Sequence, residues 1–272
     1  TEKGANFTAK WVKLSLVNSD ENAGTITPVD EIAFVQGETF SATAVGNNGY
    51  AFLGWFINGE KVSQKDAFSY DFTVPATDLT ITARWCSITA VSSDETLGTV
   101  RFLENKPFLP GEDAEVTATG KNGSVWLGWF INGEKVSLDN SFTYKFSVPE
   151  SDVALVAKWD KIVVNKSCDG GEIIIPQKVI LLGEKAELSA TVNDGFAFLG
   201  WFDDSSDSIV CDKVDYAFKV SENNLRLSAR WSFIRVEANI PEAGTFDLPK
   251  RAYTVGEKIR IDATTNDGYS FI

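Results

Sequence analysis

Eleven consecutive residues occur twice: 53–63 and 127–137 both read LGWFINGEKVS, 74 residues apart. Chance does not produce a duplication of that length. Each copy has to place the same side chains in the same kind of environment, so the chain must be an array of like units. A third copy begins LGWF at Leu199 and then departs into DDSSDS. A second marker sets the phase: Ala9-Lys10-Trp11, Ala83-Arg84-Trp85, Ala157-Lys158-Trp159 and Ala229-Arg230-Trp231. Together they give whole repeats at 12–85, 86–159 and 160–231. Residues 1–11 read as the closing strand of a preceding repeat. Residues 232–272 read as a truncated fourth, running through Ala243-Gly244-Thr245, Gly256-Glu257 and Asn266-Asp267-Gly268-Tyr269.

Within a repeat the apolar period is two, the signature of strands. Leu79, Ile81, Ala83 and Trp85 alternate with polar residues, as do Tyr70, Phe72 and Val74, and both patterns return in the other copies. Such segments are expected to be half-buried antiparallel strands. The central segment, 50–57, is apolar on both faces and should be a covered middle strand, with Gly54, Gly128 and Gly200 marking a bulge or a ring laid across the backbone. Asn58-Gly59 and Asn132-Gly133 predict two-residue type I′ hairpins. Further turns are expected at Asn48-Gly49, Asn122-Gly123, Asp194-Gly195 and Asp267-Gly268, and at each recurring Gly-Glu pair. No helical stripe is present. The fold expected is all-β: a tandem array of small antiparallel β domains, β-sandwich-like or β-grasp-like beads with little or no helix. Each unit is long enough for a core of its own, which favours separate beads over a continuous stack. Cys86 follows Trp85 directly, so neighbours should touch and the array should be fairly stiff.

The ordered run Gly37-Glu38, Ala42-Thr43, Asn48-Gly49-Tyr50, Gly54-Trp55-Phe56, Asn58-Gly59, Phe72-Thr73-Val74 and Ala83-Arg84-Trp85 resembles the divergent internalin-type B-repeat, also called the Listeria–Bacteroides repeat. The likeness covers nearly the whole chain. It implies a module found in tandem in large bacterial surface and secreted proteins, often between an adhesive tip and an anchor. It also implies a small β-grasp-like fold that includes a helix, and no catalytic residues.

Composition narrows function further. Thirty-eight acidic residues against 25 basic ones give a net charge of −13, which repels phosphate backbones and anionic membrane faces. No nucleic-acid partner is expected, and no membrane insertion within this segment. The chain has no His, which removes the commonest general base and imidazole metal ligands. No cofactor is expected. The lack of a starting Met and of a signal segment reads as an excerpt of a longer protein, and the resemblance implies an extracellular one, at the bacterial surface or secreted.

Four features invite sharper readings. Seven of the eight Trp recur at fixed positions and read as core; Trp126 stands where other copies have Phe52, Phe198 and Phe271, and is the candidate stacking platform for a glycan. Asp203, Asp204 and Asp207, in the loop that replaces an Asn-Gly hairpin, are a weak calcium candidate. Cys168 and Cys211 fall in one repeat and are a possible disulfide. Paired carboxylates for sugar hydrolysis find no convincing cleft position. The expected role is a semi-rigid stalk displaying another domain. The alternatives are adhesion to a host protein or glycan through the repeats, or an ancillary module of a secreted hydrolase. The two ends are expected to pack on neighbouring repeats of the chain or of adjoining copies.

Overall fold

A computed structural model describes residues 4–27, 34–63, 68–249 and 251–272. Among them there is no α-helix, only two single turns of 3-10 helix at Glu222–Asn224 and Pro241–Ala243. The helix implied by the β-grasp resemblance is therefore absent from the described residues. A period-two pattern rich in β-branched and aromatic residues has no stripe with which a helix could bury itself.

The first repeat contributes β1 (Leu14–Asn18), β2 (Gly24–Ile26), β3 (Thr39–Gly46), β4 (Tyr50–Ile57), β5 (Glu60–Lys61), β6 (Ser69–Thr73) and the start of β7 (Leu79–Ser92). The second contributes the rest of β7, then β8 (Gly98–Phe102), β9 (Asp113–Gly120), β10 (Ser124–Ile131), β11 (Glu134–Lys135), β12 (Thr143–Ser147) and β13 (Val153–Lys161). The third contributes β14 (Val163–Lys166), β15 (Ile173–Ile174), β16 (Ile180–Leu181), β17 (Lys185–Ala190), β18 (Phe196–Asp203), β19 (Ser208–Cys211), β20 (Asp215–Lys219) and β21 (Arg226–Phe233). β22 (Gly244–Asp247), β23 (Tyr253–Thr254) and β24 (Asp262–Thr265) follow. The chain falls into two compact units, one of residues 1–93, 99–119 and 128–157, the other of 94–98, 120–127 and 158–272.

In the first unit, β4 lies between β7 and β5, antiparallel to both. A small sheet, β2-β3-β6, supplies the other half of the core. Phe52 and Trp55 of β4 meet Ala42 and Ala44 of β3, Phe72 of β6, and Ile81, Ala83 and Trp85 of β7. The arrangement is a two-layer sandwich. Trp55 is wholly buried and its indole N–H donates to the Phe68 carbonyl at 3.3 Å, so a large ring enters the core without losing its polar partner.

Two features depart from the sequence reading. The opening and closing strands of a repeat, expected to be antiparallel, pair in parallel, β1 on β7 and β14 on β21. A parallel pair needs a long crossover, and the intervening sheet of each repeat serves as one. The repeats are also not beads with wholly separate cores. β7 runs unbroken across the boundary: residues 79–83 pair with β1 and residues 88–92 with β13. Ala51, Cys86, Ile88, Phe108, Ala114 and Val148, drawn from two successive repeats, form one buried cluster.

In the second unit the same parts recur as β14-β21-β18-β19 and β15-β17-β20, with β22 and β24 paired beyond them. Residues 4–12 form no strand where a closing strand was expected, and Phe7 and Trp11 are 94% and 90% exposed. A lone β segment with no ladder partner and nothing to bury has no reason to pleat. Thr1, Glu2 and Lys3 of that segment lie outside the described residues.

Candidate functional site

The feature that recurs with most chemistry attached is a latch between successive repeats. Phe108 of the second repeat lies in a parallel bridge with Ala51 of the first. The Phe52 amide donates to the Phe108 carbonyl at 2.9 Å, and the Phe108 amide donates to the Tyr50 carbonyl at 2.9 Å. β16 takes the corresponding place beside β10, pairing Ile180 with Val125 and Leu181 with Trp126. β23 does so beside β18, pairing Tyr253 with Ala197 and Thr254 with Phe198. Phe108, Ile180 and Tyr253 are all buried.

Each latch residue sits in one local frame. A basic residue stands two positions before it and a Gly-Glu pair three and four positions after: Lys106 with Gly111-Glu112, Lys178 with Gly183-Glu184, Arg251 with Gly256-Glu257. The glutamate folds back to accept the amide one residue past the latch, Leu109 at 2.9 Å, Leu181 at 3.0 Å and Thr254 at 3.0 Å. The same glutamates pair with the basic residues, Lys106 with Glu112 and Lys178 with Glu184 each at 3.5 Å, and Arg251 with Glu257. The Arg251 guanidinium, bonded to it, holds the Glu257 carboxyl below the usual carboxylate range. The glycines need a positive φ, 83° at Gly111 and 84° at Gly183, and their amides donate to Val148 and Val220 at 2.8 and 2.9 Å. The sequence reading saw the Gly-Glu pairs as turns and missed the apolar residue they present. The basic-x-apolar-x-x-Gly-Glu spacing was the available signal.

A second recurring device explains the duplicated eleven residues. Gly54 has φ 116° and Gly128 φ 120°, and the β4–β7 register shifts between Phe52 and Gly54. The bulge frees the next amide, which turns to a serine: Trp55 N–H donates to Ser63 Oγ at 2.9 Å and Trp129 N–H to Ser137 Oγ at 3.1 Å. Both serines are buried. A Cβ on Gly54 would stand 2.5 Å from the Ser63 hydroxyl. In the third repeat Cys211 holds the serine's position, paired opposite Trp201.

The residues singled out from the sequence fare differently. Trp126 is fully buried, its ring centroid 4.5 Å from that of Trp159, so it offers no platform to a glycan. Two residues earlier on the same face Ser124, itself buried, stands where the other copies have Tyr50 and Phe196. Asp203, Asp204 and Asp207 do not converge. Asp203 caps its own turn, accepting from the amides of Ser205 and Ser206 at 2.8 and 3.0 Å. The Ser205 hydroxyl, foremost among these donors, holds the Asp203 carboxyl below its usual range. Asp204 accepts from Asn165 at 3.0 Å and from Ser228, and Asp207 pairs with Arg230. Among the described residues no three His, Cys, Asp or Glu side chains are grouped to hold a metal ion.

Cys168 and Cys211 are free thiols. Cys211 lies in β19 and Cys168 just past β14, at opposite edges of the order β14-β21-β18-β19. Three strand spacings of about 4.8 Å each separate those edges, against a Cα separation of roughly 6 Å in a disulfide. Cys86 is buried in the shared cluster, where desolvation first and the Asp152 charge second push its thiol up to about 11.

A cavity of about 600 Å³ lies beneath β22 and β24, lined by Val236, Ile240, Phe246, Ile261, Tyr269 and Phe271 among others. Phe271 stands at the position of Phe52, and residues 232–272 contain no Trp. Among the described residues no helix is long and apolar enough to cross a membrane.

A family model described as the divergent InlB B-repeat domain matches residues 14–89, 88–163 and 166–235.

Proposed function

Because the chain belongs to the divergent InlB B-repeat family, we propose that it serves as a non-catalytic, semi-rigid spacer in a bacterial surface or secreted protein, holding another domain away from the cell. The observation that carries this reading is the latch: Phe108, Ile180 and Tyr253 each join one repeat to the strand edge of the one before by a buried side chain and a parallel bridge. A joint held by main-chain pairing and a buried side chain is stiffer than a Gly- or Ser-rich one, which would behave as flexible coil. The acidic surface supports the same reading, since like-charged chains stay apart and do not adhere nonspecifically. So does the burial of Trp126, which leaves the adhesive alternative without its proposed platform.

The test is a screen of the 272-residue chain against immobilised glycans and extracellular-matrix proteins at physiological salt. A spacer gives no saturable binding across the screen. Saturable binding that persists in Trp126→Phe would overturn the reading in favour of an adhesion module acting through another surface.

A further inference from the structure

We infer that the latch makes the array directional: each repeat's central strand is completed by the repeat that follows it, so the integrity of one repeat depends on its C-terminal neighbour. The inference concerns folding and holds whether the array spaces or adheres.

The asymmetry is visible in β4. One of its edges is taken along its length by β7, from Phe52 to Ile57 by residues of the same repeat and at Tyr50 and Ala51 already by Ser87 and Cys86 of the next. On the other edge, β5 covers only Phe56 and Ile57 at the far end. The near end, at Tyr50 and Phe52, bonds to Phe108 of the next repeat. The third repeat repeats the division: β19 covers the far end of β18 from Trp201, and β23 covers Ala197 and Phe198 at the near end. There the Gly195 amide also donates to the Arg251 carbonyl at 3.0 Å, as Gly123 donates to Lys178 at 3.0 Å at the middle junction.

An open latch therefore costs the two repeats different things. The preceding repeat is left with unsatisfied main-chain groups beside a Phe that is 2% exposed at position 52 and 4% at 198, at the edge of its core. The following repeat loses the docking of a loop and part of the cluster in which Phe108 meets Ala114 and Val148, while its own main-chain pairings, β9 with β12 and β15 with β17 and β20, are made without help from that edge. Coupling of this kind is a nearest-neighbour interface energy, here with a polarity. It also predicts that openings begin at a latch and expose the strand N-terminal to it.

Hydrogen exchange on the full chain, resolved by peptide, tests the inference with two alanine variants. Phe108→Ala is expected to speed exchange roughly tenfold or more over residues 50–55, leaving residues 196–202 unchanged. Tyr253→Ala is expected to do the reverse, speeding residues 195–198 and sparing 50–55. Phe108→Leu, which keeps an apolar side chain, should restore most of the protection and guards against global unfolding in the alanine variant. Faster exchange confined to β8, β9 and β12 in Phe108→Ala would overturn the inference, as would equal acceleration of all repeats in both alanine variants.

Discussion

The Phe52 amide and the Phe108 carbonyl, 2.9 Å apart, belong to different sequence repeats yet close one strand edge. The folded unit is therefore offset from the unit of duplication. It takes the central and closing strands of one copy and borrows the segment before the first long strand of the next. The duplicated residues 53–63 encode the bulged central strand, its exposed hairpin turn and the buried serine that closes the bulge, and the Lys106-to-Glu112 segment encodes the joint.

Trp126 is a packing residue, so its truncation should be felt as instability. Trp126→Ala is expected to lower unfolding free energy by about 3 to 5 kcal/mol, and Trp126→Phe, which installs the ring that the first and third repeats carry, by under about 1.5 kcal/mol. Urea unfolding followed by fluorescence checks both. An unchanged midpoint in Trp126→Ala would contradict the burial.

Removing the Ser63 hydroxyl leaves the Trp55 amide buried at the bulge without its acceptor. Ser63→Ala should cost about 1 to 3 kcal/mol. Ser63→Thr, whose hydroxyl can still accept, should cost less unless its added methyl clashes with Gly54, where the fit is already close. A Ser63→Ala variant as stable as the parent would mean that water or another group satisfies the amide.

The three thiols should separate by reactivity. Cys168 is exposed, Cys211 half-buried and Cys86 buried. At pH 8, a thiol reagent should label Cys168 first and Cys211 more slowly. Cys86, its ionisation displaced to about 11 by burial, should react only on unfolding. Because that thiol ionises at higher pH in the folded chain, the stability it lends is complete below about pH 8.5 and is lost as pH rises towards its folded value. Mass spectrometry of the native, labelled chain reads the order directly. Early modification of Cys86 would show that the shared cluster opens readily.

Acid should loosen the chain through its turns. The carboxyls of Asp94, bonded to the Thr96 hydroxyl, of Asp203, bonded to that of Ser205, and of Glu257, bonded to Arg251, lie below their usual range. A depressed carboxyl stabilises the fold above its unfolded value, about pH 4, and that contribution is lost as pH falls through the folded value. Thermal melts should thus be flat from pH 6 to 5 and fall below about pH 4. Rising stability on acidification through that window would contradict the assignment.

What the sequence made legible was local. Asn58 at φ 52° followed by Gly59 at φ 89° is the hairpin that the dipeptide announces, and Gly54 marks a bulge because no other residue tolerates its geometry. What it hid depends on distant partners. The parallel pairing of Leu14 with Leu79 leaves no trace in a period-two pattern, which is the same for either direction. Phe108 looks like a lone apolar residue in a polar loop until the edge of β4 is placed beside it. The burial of Trp126 leaves no trace either, since a Trp in place of Phe52 reads the same in a core as on a surface.

The central claim is that latched repeats behave as one semi-rigid spacer, and the distribution of distances across them tests it most directly. Spin labels at Asn22 in the first repeat and Glu134 in the second, in a chain whose native cysteines are replaced by serine, would be read by pulsed electron resonance at low and high salt. The account predicts a single narrow distribution that salt does not widen, and broadening on Phe108→Ala. A broad, salt-dependent distribution in the parent chain would show freely jointed repeats and contradict it.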